Sequence, residues 1–137
     1  KEQIRIAAGE PLSVSQKNIN ISGHAIECRI NAENPDKNFR PSPGTIQTLY
    51  LPGGCGIRMD TAVYSGYTIP PYYDSMIAKL IVHGKDRAEA IAKMTSALGE
   101  VIVEGIDTNA DYLYRILNEP DYQAGRTDIE YLNTHTL

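Results

Sequence analysis

Two cysteines, no long apolar run and no surplus of basic charge set the first limits on this 137-residue chain. Cys28 and Cys55 lie far apart in sequence, which is neither a metal-ligand spacing nor a disulfide framework, so a reducing, cytoplasmic compartment is expected. A net charge of −4 argues against a general nucleic-acid binder, which needs a basic excess to replace counterions. No apolar stretch approaches the roughly 20 residues that a membrane-spanning helix requires, and no basic-then-apolar leader opens the chain. Neither a membrane partner nor a secretion signal is therefore expected. His24, His83 and His135 share no ligand spacing with one another or with the cysteines, so no metal site is expected either. A Ser/Cys–His–acid arrangement is not legible, although such groups assemble in space rather than in sequence.

What is present is an ordinary globular composition, 42% apolar and 22% charged, in a length that makes one domain with a real core. The cleanest alternation runs from Gly23 to Glu33. On a strand it places His24, Ile26, Cys28, Ile30 and Ala32 on one face, and Ala25, Glu27, Arg29, Asn31 and Glu33 on the other. A slip of one residue would carry Glu27, Arg29 and Glu33 into the core, so the register should be firmly set.

Before that strand, residues 1–8 read as the end of a helix, with Gly9 in the C′ position and Pro11 beyond it. No cap precedes Lys1, which suggests a piece of a longer protein or a frayed terminus. Ile19 and Ile21 suggest a short strand. After the main strand, Asn34-Pro35-Asp36 is a turn, and residues 45–51 are β-prone, with Ile46, Thr48 and Tyr50 on one side. Pro52-Gly53-Gly54-Cys55-Gly56 is a reversal, residues 57–63 a strand, and residues 64–69 a weaker one that Pro70-Pro71 ends. Met76 to Val82 is a strong strand.

The second half changes to helical periodicity. Asp86 and Glu89 form a capping-box-like start, and Ala90, Ile91, Met94, Ala97, Leu98 and Val101 make one apolar stripe. Val101 to Val103 can turn extended before Gly105. Thr108 or Asn109 can cap a second helix with Leu113, Ile116 and Leu117 inward, stopped by Pro120. Thr127 and Glu130 mark a short last helix with Tyr131 and Leu132. Strands first and helices second predict an α+β fold, an antiparallel sheet from the first half packed with helices from the second.

Arg29 is the foremost candidate for chemistry. Held in mid-strand, its planar fork can bind an oxyanion in two-pronged fashion; the alternative is an ion pair with Glu27 or Glu33. Arg58 follows the glycine-rich turn and reads as structural or interfacial. That turn opens a strand rather than a helix and lacks the phosphate-binding patterns. Asp74 can pair with an arginine or act as a ligand, or it can accept backbone N–H groups within its own turn. Lys79 reads as a solvated side chain.

His24-Ala25-Ile26-Glu27-Cys28-Arg29-Ile30-Asn31-Ala32-Glu33, Pro41-Ser42-Pro43-Gly44, Gly66-Tyr67, and Pro70-Pro71-Tyr72-Tyr73-Asp74-Ser75-Met76-Ile77-Ala78-Lys79-Leu80 resemble the C-terminal domain of biotin carboxylases, in order along nearly the whole chain. Residues 1–9 resemble the helix that enters this domain from the ATP-grasp portion. The resemblance implies residues 1–22 as the connection and 23–137 as the domain. It implies an ATP-dependent ligase that carboxylates biotin, carried on a carrier protein, with bicarbonate. ATP and magnesium would be bound in parts outside this stretch, which alone would be inactive. Arg29 matches the position that faces the biotin ureido group and bicarbonate. Arg58, Asp74 and Cys55 match positions at or near a homodimer interface, though the family commonly has an aromatic where Cys55 stands. The implied parent is the biotin carboxylase subunit of a bacterial-type acetyl-CoA carboxylase, in fatty acid biosynthesis, working with carboxyltransferase subunits. The alternatives are the equivalent domain of a pyruvate, propionyl-CoA or methylcrotonyl-CoA carboxylase, or a non-catalytic dimerisation or carrier-docking module.

Overall fold

In the computed structural model, residues 1–135 are described; residues 136 and 137, the end of the expected 23–137 domain, lie outside the described residues. A short helix α1 (Glu2–Ala7) leads through a 3-10 turn (Gln16–Asn18) into β1 (His24–Asn31). Then come β2 (Glu33–Asn34), a 3-10 turn (Pro35–Lys37), β3 (Arg40–Pro41), β4 (Gly44–Thr45), β5 (Thr48–Tyr50), β6 (Ile57–Thr61), β7 (Thr68–Ile69) and β8 (Met76–Gly84). The remainder is α2 (Arg87–Glu100), β9 (Ile102–Glu104), α3 (Ala110–Asn118), α4 (Pro120–Gln123) and α5 (Tyr131–Thr134). Every strand pair is antiparallel, and the fold is α+β as the order of periodicities predicts.

The central sheet has the order β1-β8-β6. In its register Val82 lies between Ile26 and Ile57, and Leu80 between Cys28 and Met59, so these side chains share one face. Helix α2 covers that face with the stripe Ala90, Met94, Ala97 and Leu98, and Ile30, Leu80, Val82 and Met94 are fully buried. Burying each such side chain contributes about 1.5–3 kcal/mol, enough to hold β1 in a single register. Helix α2 starts where expected: Asp86 accepts the Glu89 N–H at 2.9 Å. The Glu89 carboxylate reaches back one residue further than a capping box would, to the Lys85 N–H at 2.9 Å.

Helix α1 closes with paired bonds from Gly9 N–H to Ile6 O (2.9 Å) and Glu10 N–H to Arg5 O (3.0 Å), with Gly9 at φ +82°. Beyond it, Ile19 and Ile21 form no strand; both are exposed, because no other strand runs beside this segment to complete a ladder. Residues 45–51 do not form one strand either. The chain leaves β7 after Thr45 and pairs with β9 from Thr48, and Gln47, which donates to Glu104 O at 2.7 Å, lies between the two pairings. That switch changes the phase, so Ile46 and Leu49 face inward while Tyr50 is exposed. Of residues 64–69 only Thr68–Ile69 is paired; Tyr67 N–H closes a turn on Tyr64 O at 2.9 Å. The last helix is capped by Glu130, whose N–H is held by Asp128 rather than by Thr127, and Leu132 is exposed.

Candidate functional site

The second face of the central sheet is polar. Arg29 lies opposite Lys79, which lies opposite Asp60; the next row is Glu27, Ile81 and Arg58. Opposite charges pair between the two rows: Lys79 Nζ is 3.7 Å from Glu27 Oε1, and Arg58 is 3.0 Å from Asp60. With those carboxylates engaged, Arg29 has no carboxylate partner among the described residues. The ion pair with Glu27 or Glu33 that spacing allowed is not made.

Arg29 is exposed, and its Nε donates to Met76 Sδ at 3.1 Å. That contact engages Nε and leaves the two terminal nitrogens without a partner among the described residues, available to a bidentate planar anion. Glu33 is held elsewhere, accepting from Ser75 Oγ and, at 3.4 Å, from Asn31 Nδ2. The Asn31 amide oxygen is buried and has no partner among the described residues.

Beside Arg29 the β1–β8 ladder is irregular. Ile30 pairs with Ala78 but Asn31 pairs with Met76, so Ile77 is passed over as a bulge. Thr61 Oγ1 satisfies the freed Ile77 carbonyl at 2.7 Å. Asp74 accepts the Met76 N–H at 2.7 Å, the turn role that its sequence context allowed. Met76 thus stands between Arg29 and a pocket of about 250 Å³ lined in part by Val63, Tyr67, Tyr73 and Asp74.

Of the four residues singled out from the sequence, Arg29 and Arg58 share the polar face of the central sheet in neighbouring rows, while Asp74 and Cys55 lie in turns outside it. Asp74 sits in the turn just before β8, whereas Arg58 pairs with Ile81 and Cys55 lies in the turn leading to β6. Asp74 and Arg58 are thereby separated by about 20 Å of strand. Cys55 is an exposed free thiol. The turn it occupies is constrained at Gly56, where φ is +77° and an added Cβ would lie 2.6 Å from His83 O. Cys28, on the core face beneath Arg29, has its thiol pushed up to about 12 by burial and is not a nucleophile.

Two contributors escaped the sequence. Met76 read only as a strand hydrophobe, and Asn109 only as a helix cap. Asn109 is buried and donates from Nδ2 to Arg29 O at 3.1 Å across the fold. Neither leaves a local signal, because each contact joins residues remote in sequence. Among the described residues no three His, Cys, Asp or Glu side chains are placed to hold a metal ion, and no helix is long and apolar enough to cross a membrane.

Residues 27–134 match the family model described as the biotin carboxylase C-terminal domain. The chain is 52% identical to Biotin carboxylase 1 of Bacillus subtilis over 137 residues, all of this chain and 30% of that protein. It is 55% identical to the biotin carboxylase of Haemophilus influenzae over 132 residues, 96% of this chain and 29% of that protein. Among solved structures it is similar, at a TM-score of 0.95 and 49% identity, to the biotin carboxylase domain dimer of the Hydrogenobacter thermophilus 2-oxoglutarate carboxylase, in complex with MgADP, ADP and bicarbonate; the match covers 97% of this chain and 29% of that one. The chain therefore spans about 30% of the length of the relatives it matches.

Proposed function

The chain belongs to the biotin carboxylase C-terminal domain family, and from that premise we propose that it completes the active site of an ATP-dependent ligase that carboxylates carrier-bound biotin with bicarbonate. The observation that carries this reading is Arg29, an exposed guanidinium with its terminal nitrogens free of carboxylates, held on a rigid strand.

In that reaction biotin N1 loses its proton to a base outside this chain and bonds to the bicarbonate-derived carboxyl carbon, while ATP yields ADP and phosphate. Negative charge develops on the ureido oxygen as the proton leaves. A guanidinium already in place stabilises it without reorganisation, and a donor of this kind typically contributes a factor on the order of 10²–10³ in rate. Arg29 is thereby assigned both to catalysis and to binding biotin and bicarbonate. ATP and magnesium are assigned to the preceding parts of the protein.

Residues 1–22 are assigned to the connection and 23–137 to the domain. The exposed aliphatics Ile4, Ile6, Leu12, Val14, Ile19 and Ile21 support that division, since a connection packs against what precedes it. A homodimer is proposed to use Arg58, Cys55 and Asp74. The proposed parent is the biotin carboxylase subunit of an acetyl-CoA carboxylase in fatty acid biosynthesis, with a biotin carboxyl carrier protein and carboxyltransferase subunits as partners. A reducing cytoplasm suits its two free thiols.

The test is Arg29→Ala in the full-length protein. Biotin carboxylation should fall on the order of 10²–10³-fold with the fold intact. A rate near that of the parent would sink the assignment.

A further inference from the structure

We infer that Asn109 is a positioning residue for Arg29, gripping β1 at the Arg29 carbonyl and at Asn31 from the start of α3. The inference rests on the role proposed for Arg29.

In an antiparallel strand, alternate residues turn their backbone groups to the same edge. Arg29 and Asn31 turn theirs to the outer edge of β1, away from β8, where no strand lies. Asn109 supplies the missing partners. Its Oδ1 accepts the Asn31 N–H at 2.8 Å, its Nδ2 donates to Arg29 O at 3.1 Å, and its own backbone N–H donates to Asn31 O at 3.1 Å.

An asparagine at a helix N-cap ordinarily accepts an N–H of its own first turn. Here the cap position is occupied but the side chain makes no such bond; the amide is turned onto β1 instead. Asn109 is 7% exposed and is the buried polar residue of the described core, so its three contacts are made away from water, where an unmade one is costly.

The grip falls where it has the most effect on direction. On the inner edge, the ladder beside Arg29 is interrupted by the bulge at Ile77. A bulge lets a strand twist and re-aims its side chains. Clamped by Asn109 on the outer edge and by Ala32 N–H to Ser75 O (2.8 Å) just beyond, residues 29–32 lose that freedom. The angle at which the guanidinium leaves the sheet is then set from the N-cap of α3.

Asn109→Ser in the full-length enzyme tests this. Serine keeps a competent helix cap and removes the amide that reaches β1. The measurement is kcat and KM for free biotin in four proteins: parent, Asn109→Ser, Arg29→Ala and the double variant. Expected is a kcat about tenfold lower for Asn109→Ser with KM for biotin little changed, since the lost interaction is made in the transition state. In the Arg29→Ala background the same substitution should cost no more rate, because it acts through that side chain. With Arg29→Ala impaired, equal fractional losses in both backgrounds, or no loss in either, overturn the role given to Asn109. Full activity of Arg29→Ala overturns the underlying assignment and this one with it. Should Asn109→Ser fail to fold, Asn109→Asp, which keeps an acceptor for Asn31 N–H but no donor for Arg29 O, is carried through the same four-protein comparison with the same outcomes.

Discussion

Lys79 stands directly opposite Arg29 in the β1–β8 register, yet pairs diagonally with Glu27 at 3.7 Å. Two cations side by side on neighbouring strands repel each other, and Glu27 offsets one of them while leaving the other available. Both members of the Glu27–Lys79 pair are about two-fifths exposed, at 43% and 41%. Glu27→Gln should therefore lower stability by less than about 1 kcal/mol, with the difference shrinking as salt is added. Urea unfolding at low and high ionic strength measures it. A loss of several kcal/mol, unchanged by salt, would mean that the array is not a solvated one.

The two thiols should differ sharply in reactivity. Cys55 is exposed, whereas Cys28 is 6% exposed with its thiol pushed up to about 12. The thiolate is the reactive form. Iodoacetamide near neutral pH should add one group to the native chain, at Cys55, and two after denaturation, as read by mass spectrometry. Rapid native labelling of Cys28 would contradict its place beneath Arg29.

A pH dependence is built in at the C-terminal end. His135 Nε2 lies 3.2 Å from Asp121 Oδ2, and the hydrogen bond it donates to Asp121, then that to the Tyr131 carbonyl, raises the imidazole above its ordinary 6.5. Asp121 is held below its ordinary 3.8, chiefly by Arg126 and then by His135. The raised histidine contributes stability in full below about 6.5 and loses it as pH rises through the folded-state value. The lowered aspartate contributes above about 3.8 and loses it as pH falls through its own folded-state value. The pair is thus most favourable between the two, in mildly acidic solution. An NMR titration should find His135 above 6.5 in the parent and shifted down in Asp121→Asn. An unshifted His135 in the parent would show that the contact is not populated.

Much of this was legible because it is periodic. The two-residue period from His24 to Ala32 puts Arg29 on an open face, and the helical stripe from Ala90 to Leu98 marks what covers the other. Failures came where pairing partners change. A single strand over residues 45–51 satisfies local propensity, but the backbone bonds of Thr45 and Thr48 go to β7 and β9. Ile19 and Ile21 have strand-forming side chains with no neighbouring strand to join. The site itself was half visible: Arg29 stands out among acids and amides, but which acid leaves it free depends on Lys79, and what aims it depends on Asn109 and on the bulge at Ile77. Those are relations between distant segments, and composition and spacing carry no record of them.

The row of bare aliphatics from Ile4 to Ile21 has a practical consequence. A recombinant version opening near Gly23 would retain all of the packed interior while shedding the stickiest part of its surface, and should stay dispersed at concentrations where the longer piece clumps.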